Sequence, residues 1–411
     1  MKLAITKEAC CGCGACAQIC PHHCIEMKED EMGFLYPAID ESHCVQCGLC
    51  EKVCPYLNRY EALQEKPASF ACRTNDEELC AVSSSGGMFT MLANHVIDQG
   101  GVVFGARFAE DWSVIHDYTE TKDGLAAFRG SKYVQSVIGD NYRKVRDFLR
   151  DGRLVMFSGT PCQVAGLNHF LIKKFENLIT MDFVCHCVPS PKVWQSYLKE
   201  LNAGNRVSYV SFRDKSEGWS SYGIFIKNSE TRPTAQGQVT EKTLAKGNHL
   251  ENVYMKAFLS NLIVRPGCTN CPAHNYTSGA DITVADCWGF DKYHPELFDN
   301  KGMSLALLHT EKGKAIFEAL QPKLFSLSIP YEEVEEDSLH SPITKSEDYH
   351  LYYDCFLRDF KKGRYESVTT LMDKYLKKAE AKNNREKRIR QVIRSLVGEK
   401  LIKMYKGIRK V

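Results

Sequence analysis

Ten of the nineteen cysteines in this 411-residue chain fall within its first 54 positions, and eight of the ten repeat one pattern twice. Cys10, Cys13, Cys16 and Cys20, followed by Pro21, recur 34 residues later as Cys44, Cys47, Cys50 and Cys54, followed by Pro55. Thiolates at intervals of three residues wrap one face of a cubane, and a fourth placed before proline reaches across to a second cluster. The spacing therefore predicts two [4Fe-4S] clusters: Cys10, Cys13, Cys16 and Cys54 hold one, and Cys44, Cys47, Cys50 and Cys20 hold the other. A pair of four-cysteine zinc knuckles is the alternative, and two complete matches, each with its proline, weigh against it. Gly12, Gly14 and Gly48 leave backbone amides free to approach the sulfurs, where hydrogen bonds tune potential. Cys11 and Cys24 fall outside the spacing and read as packing residues.

This segment resembles a two-cluster ferredoxin domain, whose work is moving single electrons. Behind it lies far more chain than such a domain needs, enough for one or two further domains. With 44% apolar and 25% charged residues, disorder over most of the length is excluded. So is a small disulfide-stapled secreted fold. The start, MKLAITKEAC, lacks the apolar core of a signal peptide. The longest uncharged stretch, Leu154–Ile172, contains Ser158, Gly159, Thr160, Pro161 and Gln163 and does not read as a membrane span. A reducing cytoplasm is expected, where clustered cysteines bind metal more often than they pair.

Four segments emerge: a two-cluster domain at 1–58, a polar linker at 59–67, an α/β domain at 68–360 and a basic helical tail at 361–411. In the third, short runs such as Val102–Phe108, Leu154–Ser158, Ile179–Val184, Ile282–Ala285 and Leu305–Leu308 read as strands. Helical patterns at Phe89–Gln99, Asn141–Arg150, Val164–Phe175 and Val193–Asn202 alternate with them. That alternation predicts an α/β domain with a mostly buried sheet, behind an α+β two-cluster domain. The tail holds 17 Lys and Arg against 5 Asp and Glu, leaving the remainder mildly acidic. A nucleic-acid-binding core is thereby disfavoured. Ile389, Val392, Ile393, Leu396 and Leu401 recur at spacings of three and four among basic residues. This amphipathic pattern suits either peripheral contact of 380–411 with an anionic membrane surface or packing on protein.

Within the α/β segment, several motifs fall at the ends of elements. Ser83-Ser84-Ser85-Gly86-Gly87 precedes a helix, a place suited to phosphate, with Ser85, Gly86 and Gly87 the expected points of approach. Gly130–Gln135 supplies Lys132, Tyr133 and Gln135, and Thr160 lies in a strand-to-helix turn where α/β proteins usually place chemistry. Cys162, Cys185 or Cys187, and the pair Cys268 and Cys271 are loop thiols in number sufficient for a third [4Fe-4S] cluster. Cys185, Cys187, Cys268 and Cys271 would alternatively make a four-thiolate zinc centre. Arg213 and Lys215 suit either an anionic substrate or a solvated strand end.

Taken in order, SSSGG at 83–87, GSKYVQS at 130–136, SGTPCQ at 158–163, DFVCHCVPSP at 182–191, FRDK from Phe212, RPGCTNC at 265–271 and ADITVADCWG at 280–289 form a recognisable series. The set resembles the coenzyme F₄₂₀ hydrogenase/dehydrogenase β-subunit family in its ferredoxin-fused form, over about residues 1–360. The resemblance implies FAD and a neighbouring [4Fe-4S] cluster. It also selects Cys185 beside Cys162, Cys268 and Cys271 as the ligand set, because relatives usually have Gly where this chain has Cys187. Cys287 likewise replaces what is typically an aromatic or aliphatic residue.

The expected function is that of an iron–sulfur flavoprotein oxidoreductase. Electrons from reduced ferredoxin or another redox protein would pass through the three clusters to FAD, and then to a small-molecule substrate. A flavin is implied because one-electron clusters and two-electron organic chemistry need a carrier that does both. Lys132 would stabilise an anionic reduced ring, and His186 is proposed as a proton donor. The alternatives are an electron-transfer subunit feeding a partner enzyme, or a non-catalytic redox sensor built on the clusters.

Overall fold

A computed structural model describes residues 5–61, 65–202, 206–230, 240–273, 276–339, 347–385 and 388. In the cysteine-rich segment, the two halves of the repeat adopt the same turn. Gly14 (φ 73°) and Gly48 (φ 74°) both take the left-handed conformation and start the short helices Ala15–Ile19 and Leu49–Lys52. Between the halves runs an antiparallel hairpin of β1 (Ile25–Glu29) and β2 (Leu35–Ile39). Its turn is fixed by Asp30, whose Oδ1 accepts from the amides of Met32 and Phe34 at 2.9 and 3.0 Å.

The strand-forming runs of the larger segment assemble into one eight-stranded mixed sheet. Its members are β3 (Ala68–Thr74), β4 (Val102–Phe108), β5 (Val114–Thr119), β6 (Val155–Ser158), β7 (Leu178–Phe183), β11 (Ile282–Asp286), β12 (Ser304–Leu308) and β13 (Leu324–Ser328). Three further strands, β8 (Arg206–Asp214), β9 (Gly223–Glu230) and β10 (Thr240–Asn248), form a separate antiparallel sheet. The large sheet runs β13-β3-β12-β11-β7-β6-β4-β5, with β4, β6, β7 and β11 parallel at its centre and antiparallel pairs at its flanks. Every residue of β6 and β12 is buried, as strands covered on both faces require.

Side-chain alternation divides the sheet's two faces cleanly. Val103, Met156 and Ile179 face the helices Met88–Ile97 and Glu311–Leu320. Val102, Phe104, Val155, Phe157 and Leu178 face Asn141–Arg150 and Pro161–Leu171. Cys11, Cys13, Ala15 and Val53 of the cysteine-rich segment belong to this second apolar layer, so the two segments share a core.

A third core gathers Trp194, Phe212, Tyr254 and Phe258 under the smaller sheet. The helix Glu347–Lys361 and a second one over 368–385 pack there through Phe356, Val368, Leu371, Met372 and Tyr375. The start of the basic segment is thus seated on the α/β core. Most of the amphipathic stretch expected over 380–411, including Ile389, Val392, Ile393, Leu396 and Leu401, lies outside the described residues. Among the described residues no helix is long and apolar enough to cross a membrane.

Candidate functional site

The carboxyl ends of the central parallel strands open onto a cavity of about 470 Å³. That is where open α/β sheets bind ligands, and the volume falls in the usual range for small-molecule sites. The wall is built from the motifs singled out in sequence: Ser83–Ser85 and Gly87, Lys132 and Tyr133, and Ser158–Thr160 after β6. Cys185–Cys187 after β7, Asp286 and Trp288 after β11, and Arg213 from β8 complete it.

Local structure explains several of these residues. Thr160 and Gln163 form a capping box on the helix Pro161–Leu171, with the Thr160 amide donating to Gln163 Oε1 at 2.9 Å. Ser84 Oγ accepts from the Ser131 amide at 2.8 Å and ties the two Gly-containing loops together. Ser85 Oγ donates to the Met303 carbonyl at 2.7 Å while still bordering the cavity.

Two expected flavin contacts fall outside the wall. The Gly86 amide donates to Ser304 Oγ at 2.9 Å, and a Cβ there would lie 2.5 Å from the Cys72 carbonyl oxygen. Glycine at 86 therefore serves close packing on β3 and β12. Gln135 turns away from the cavity, donating to the Cys11 carbonyl at 3.1 Å and accepting from Arg265 at 2.9 Å.

The charged groups of the wall are held firmly. Lys132 Nζ donates to the carbonyls of Phe128, Arg129 and Gly130 at 2.9, 2.8 and 3.1 Å, and burial pulls its ammonium down to about 7. Arg213 is no solvated strand end. Its side chain is 2% exposed, lies 3.6 Å from the centroid of the Tyr222 ring, and donates to Asp286 Oδ1 at 2.6 Å and to the Ser84 carbonyl at 3.2 Å. Lys215 lies outside the wall, where it donates to the carbonyls of Cys80, Ser85 and Lys301 and serves as a loop clamp. His186 packs edge-on against Phe258, and burial lowers it to about 4.

Behind Cys185 lies a group of half-buried thiols. Cys185 neighbours Cys268 and Cys271, and Cys162 neighbours Cys271, while Thr160 Oγ1 lies 3.2 Å from Cys162 Sγ. Burial raises the Cys268 thiol to about 11 and that of Cys271 to about 12, so neither ionises near neutrality unless a cation joins it. Cys187 Sγ faces Asn261 Oδ1 at 3.5 Å, in the apolar cluster under the small sheet, and like Cys185 it neighbours Cys268 and borders the cavity. Cys287 is likewise buried, in a separate apolar cluster with Phe290 and Met303. Among the described residues, no three His, Cys, Asp or Glu side chains are close enough to chelate a single ion.

Sequence reasoning missed Arg265, the residue that joins the two segments, and a lone arginine offers no local signal of such a role. It is fully buried, with Nε donating to the Cys10 carbonyl at 2.8 Å, Nη1 to Gln135 at 2.9 Å and Nη2 to the Leu35 carbonyl at 2.9 Å. Nη2 also stands 3.6 Å from Cys10 Sγ, and the guanidinium lies over the Tyr36 ring. Close approach continues nearby: a Cβ on Gly267 would lie 2.3 Å from the Cys10 carbonyl oxygen.

The two predicted ligand sets differ in exposure. Cys10, Cys13 and Cys54 are buried, and half-buried Cys16 neighbours Cys10 and Cys54. Buried Cys20, half-buried Cys44 and Cys50, and exposed Cys47 surround a shallow pocket with Val45 and Leu49.

Two thiol-rich halves docked on an α/β domain define an iron–sulfur protein of the electron-transferring kind, and comparison with known proteins agrees. Residues 9–58 match the 4Fe-4S dicluster domain, and residues 152–329 match the family described as the C terminus of the coenzyme F₄₂₀ hydrogenase/dehydrogenase beta subunit. Residues 152–329 thus resemble the C-terminal part of a family of hydrogenase and dehydrogenase subunits, behind a segment that matches a 4Fe-4S dicluster domain. No curated protein matches it. Among solved structures, a chain of the F₄₂₀-reducing [NiFe] hydrogenase complex from Methanosarcina barkeri, studied by xenon derivatization, is similar at 18% identity and a TM-score of 0.43. The match covers 78% of this chain and 93% of that one.

Proposed function

We propose that the protein is an iron–sulfur flavoprotein oxidoreductase that takes electrons from a redox protein and delivers them through three [4Fe-4S] clusters and FAD to a small-molecule substrate. The observation that carries the reading is the position of the Cys185–Cys187 segment, which borders both the cavity at the sheet's carboxyl edge and the thiols behind it. A flavin there would supply the exchange between one-electron and two-electron chemistry. The lining suits it, with serines, Lys132 and Arg213 among the rings of Tyr133, Phe258 and Trp288.

In this reading Ser84 and Arg213 hold anionic groups, and Lys132 stiffens the Gly130 loop beside the ring. Cys162, Cys185, Cys268 and Cys271 ligate the third cluster, and Cys187 does not. Electrons are taken up at the exposed Cys44–Cys50 half and move inward past the buried Cys10 half. The guanidinium of Arg265 beside Cys10 favours the more negative, reduced state of that inner cluster, which makes inward transfer downhill.

Anaerobic purification with iron, acid-labile sulfide, zinc and flavin quantified per chain tests the proposal. Iron for three cubanes and one FAD are expected. Iron for two cubanes with zinc would replace the third cluster by a zinc centre, and absence of flavin would reduce the protein to a carrier of single electrons.

A further inference from the structure

Arg129, Lys132 and Arg213 border the cavity against one carboxylate among the described residues, Asp286. Two of these three cations are already engaged. Lys132 is spent on three backbone carbonyls, and Arg213 on Asp286 and the Ser84 carbonyl. Arg129 differs: its Nε donates to Thr90 Oγ1 at 3.2 Å, while Nη1 and Nη2 meet no acceptor among the described residues. The side chain is half-buried, and a guanidinium stays protonated at any ordinary pH. A fixed positive charge in a concave wall draws an anion.

Two hydroxyls accompany it. Thr90, in the first turn of the helix Met88–Ile97, is 1% exposed and borders the cavity. Its Oγ1 accepts from Arg129, which leaves the hydroxyl hydrogen without an acceptor among the described residues. Ser84 Oγ accepts from both the amide and the hydroxyl of Ser131, at 2.8 and 3.0 Å, and likewise keeps its own hydrogen for a ligand. Gly130 (φ 80°) turns the chain between these contacts, so one bend ties Arg129 to the helix and Ser131 to the serine loop.

We propose that Arg129, with Thr90 and Ser84, forms a phosphoryl-binding subsite of the cavity, and that the ligand held there carries a phosphate or diphosphate. In the proposed function, on which this subsite depends, the cavity takes a flavin and a substrate. A planar fork pairs with two oxygens of a phosphoryl group at once, and the remaining oxygens are left for the hydroxyls. A carboxylate would give both of its oxygens to the fork. The phosphoryl group belongs either to the cofactor, as the diphosphate of FAD, or to the substrate.

Calorimetric titration of the full chain, as wild type, Arg129→Met and Arg129→Lys, tests this with FAD, riboflavin and inorganic pyrophosphate as probes. All three probes are added to flavin-free protein, and pyrophosphate to flavin-loaded protein as well. Arg129→Met should bind pyrophosphate about 10- to 100-fold more weakly, the range for losing hydrogen bonds to a charged group. Arg129→Lys should recover only part of the loss, for want of the fork. If FAD weakens by a similar factor, riboflavin is unchanged and FAD excludes pyrophosphate, the phosphoryl group is the cofactor's. If pyrophosphate binds beside FAD, and its affinity alone falls in Arg129→Met, the group is the substrate's. Equal weakening of FAD and riboflavin, or no change with any probe, overturns the subsite. A wild type that binds pyrophosphate but no flavin overturns the flavin reading, and the pyrophosphate comparison alone then decides for or against Arg129. Binding of neither overturns both.

Discussion

Arg265 and Cys10 are 255 residues apart in sequence and joined twice in space, through a 2.8 Å hydrogen bond from Nε to the Cys10 carbonyl and a 3.6 Å approach of Nη2 to its sulfur. Breaking this junction strands acceptors in a buried interface, each costing about 1–3 kcal/mol. Arg265→Met is expected to destabilise the protein by about 3 kcal/mol or more in anaerobic thermal unfolding, and to shift the inner cluster to a more negative potential. Arg265→Lys should recover little of either, since a single ammonium cannot reach three acceptors in the guanidinium's plane.

The repeat also provides an internally controlled pair. Gly12 (φ 75°) and Gln46 (φ 56°) hold the same left-handed position in the two halves. A Cβ on Gly12 would lie 2.7 Å from Arg265 Nη1, while Gln46 is exposed. Gly12→Ala is therefore expected to cost about 3 kcal/mol through backbone strain and overpacking. Gln46→Gly should change stability by less than about 1 kcal/mol, because strain relief offsets the added freedom of the unfolded chain. Melting temperatures of the two variants measured side by side decide the matter.

Cys185 and Cys187 separate in the same way. Cys185→Ser should lose one cubane's iron and sulfide and keep the other two, whereas Cys187→Ser should keep all three. Iron loss confined to Cys187→Ser would reverse the ligand assignment.

Lys132 gives a pH signature. Burial holds its ammonium near 7, well below the lysine value of about 10.4 expected in the unfolded chain. Below about 7 both states carry the proton, and burial imposes a constant cost. Above it the unfolded chain binds more protons, so this group's contribution to stability rises with pH until about 10.4. Denaturant titrations should show wild type gaining on Lys132→Met between about pH 7 and 9, by up to about 1.4 kcal/mol per unit. A gap that stays flat across that range would mean the three carbonyls keep the ammonium charged.

Arg213 and Asp286 form a buried pair in the cavity wall, completed by Trp219 Nε1 at 2.9 Å. Arg213→Met leaves Asp286 without its cation, at a cost of about 3–5 kcal/mol. Calorimetry of the variant should also show weakened flavin binding.

Much of this is readable from residue order. The runs at Val102, Val155 and Ile282 are apolar because both faces of the sheet are covered, and the pattern locates them to within a residue or two. β3, with the sequence Ala-Ser-Phe-Ala-Cys-Arg-Thr, carries few β-branched residues and is held by β12 and β13 on either side, so only the assembled sheet reveals it. The cavity motifs are legible because each lies at the end of an element. The role of Gln135 is not, since its partners are 124 and 130 residues away. Cys24 reads as filler for a related reason: spacing identifies ligands, not the thiols beside them, and Cys24 Sγ lies 3.4 Å from Cys20 Sγ.

The uneven shielding of the two cysteine halves has a consequence for the protein's life in air. Dioxygen and chelators reach the Cys47 side first, so the outer cubane should bleach and shed iron while the inner one, sealed beneath Arg265, survives. Brief aeration would then yield a half-emptied protein that keeps its inner iron, and reloading with iron and sulfide would refill the outer site alone.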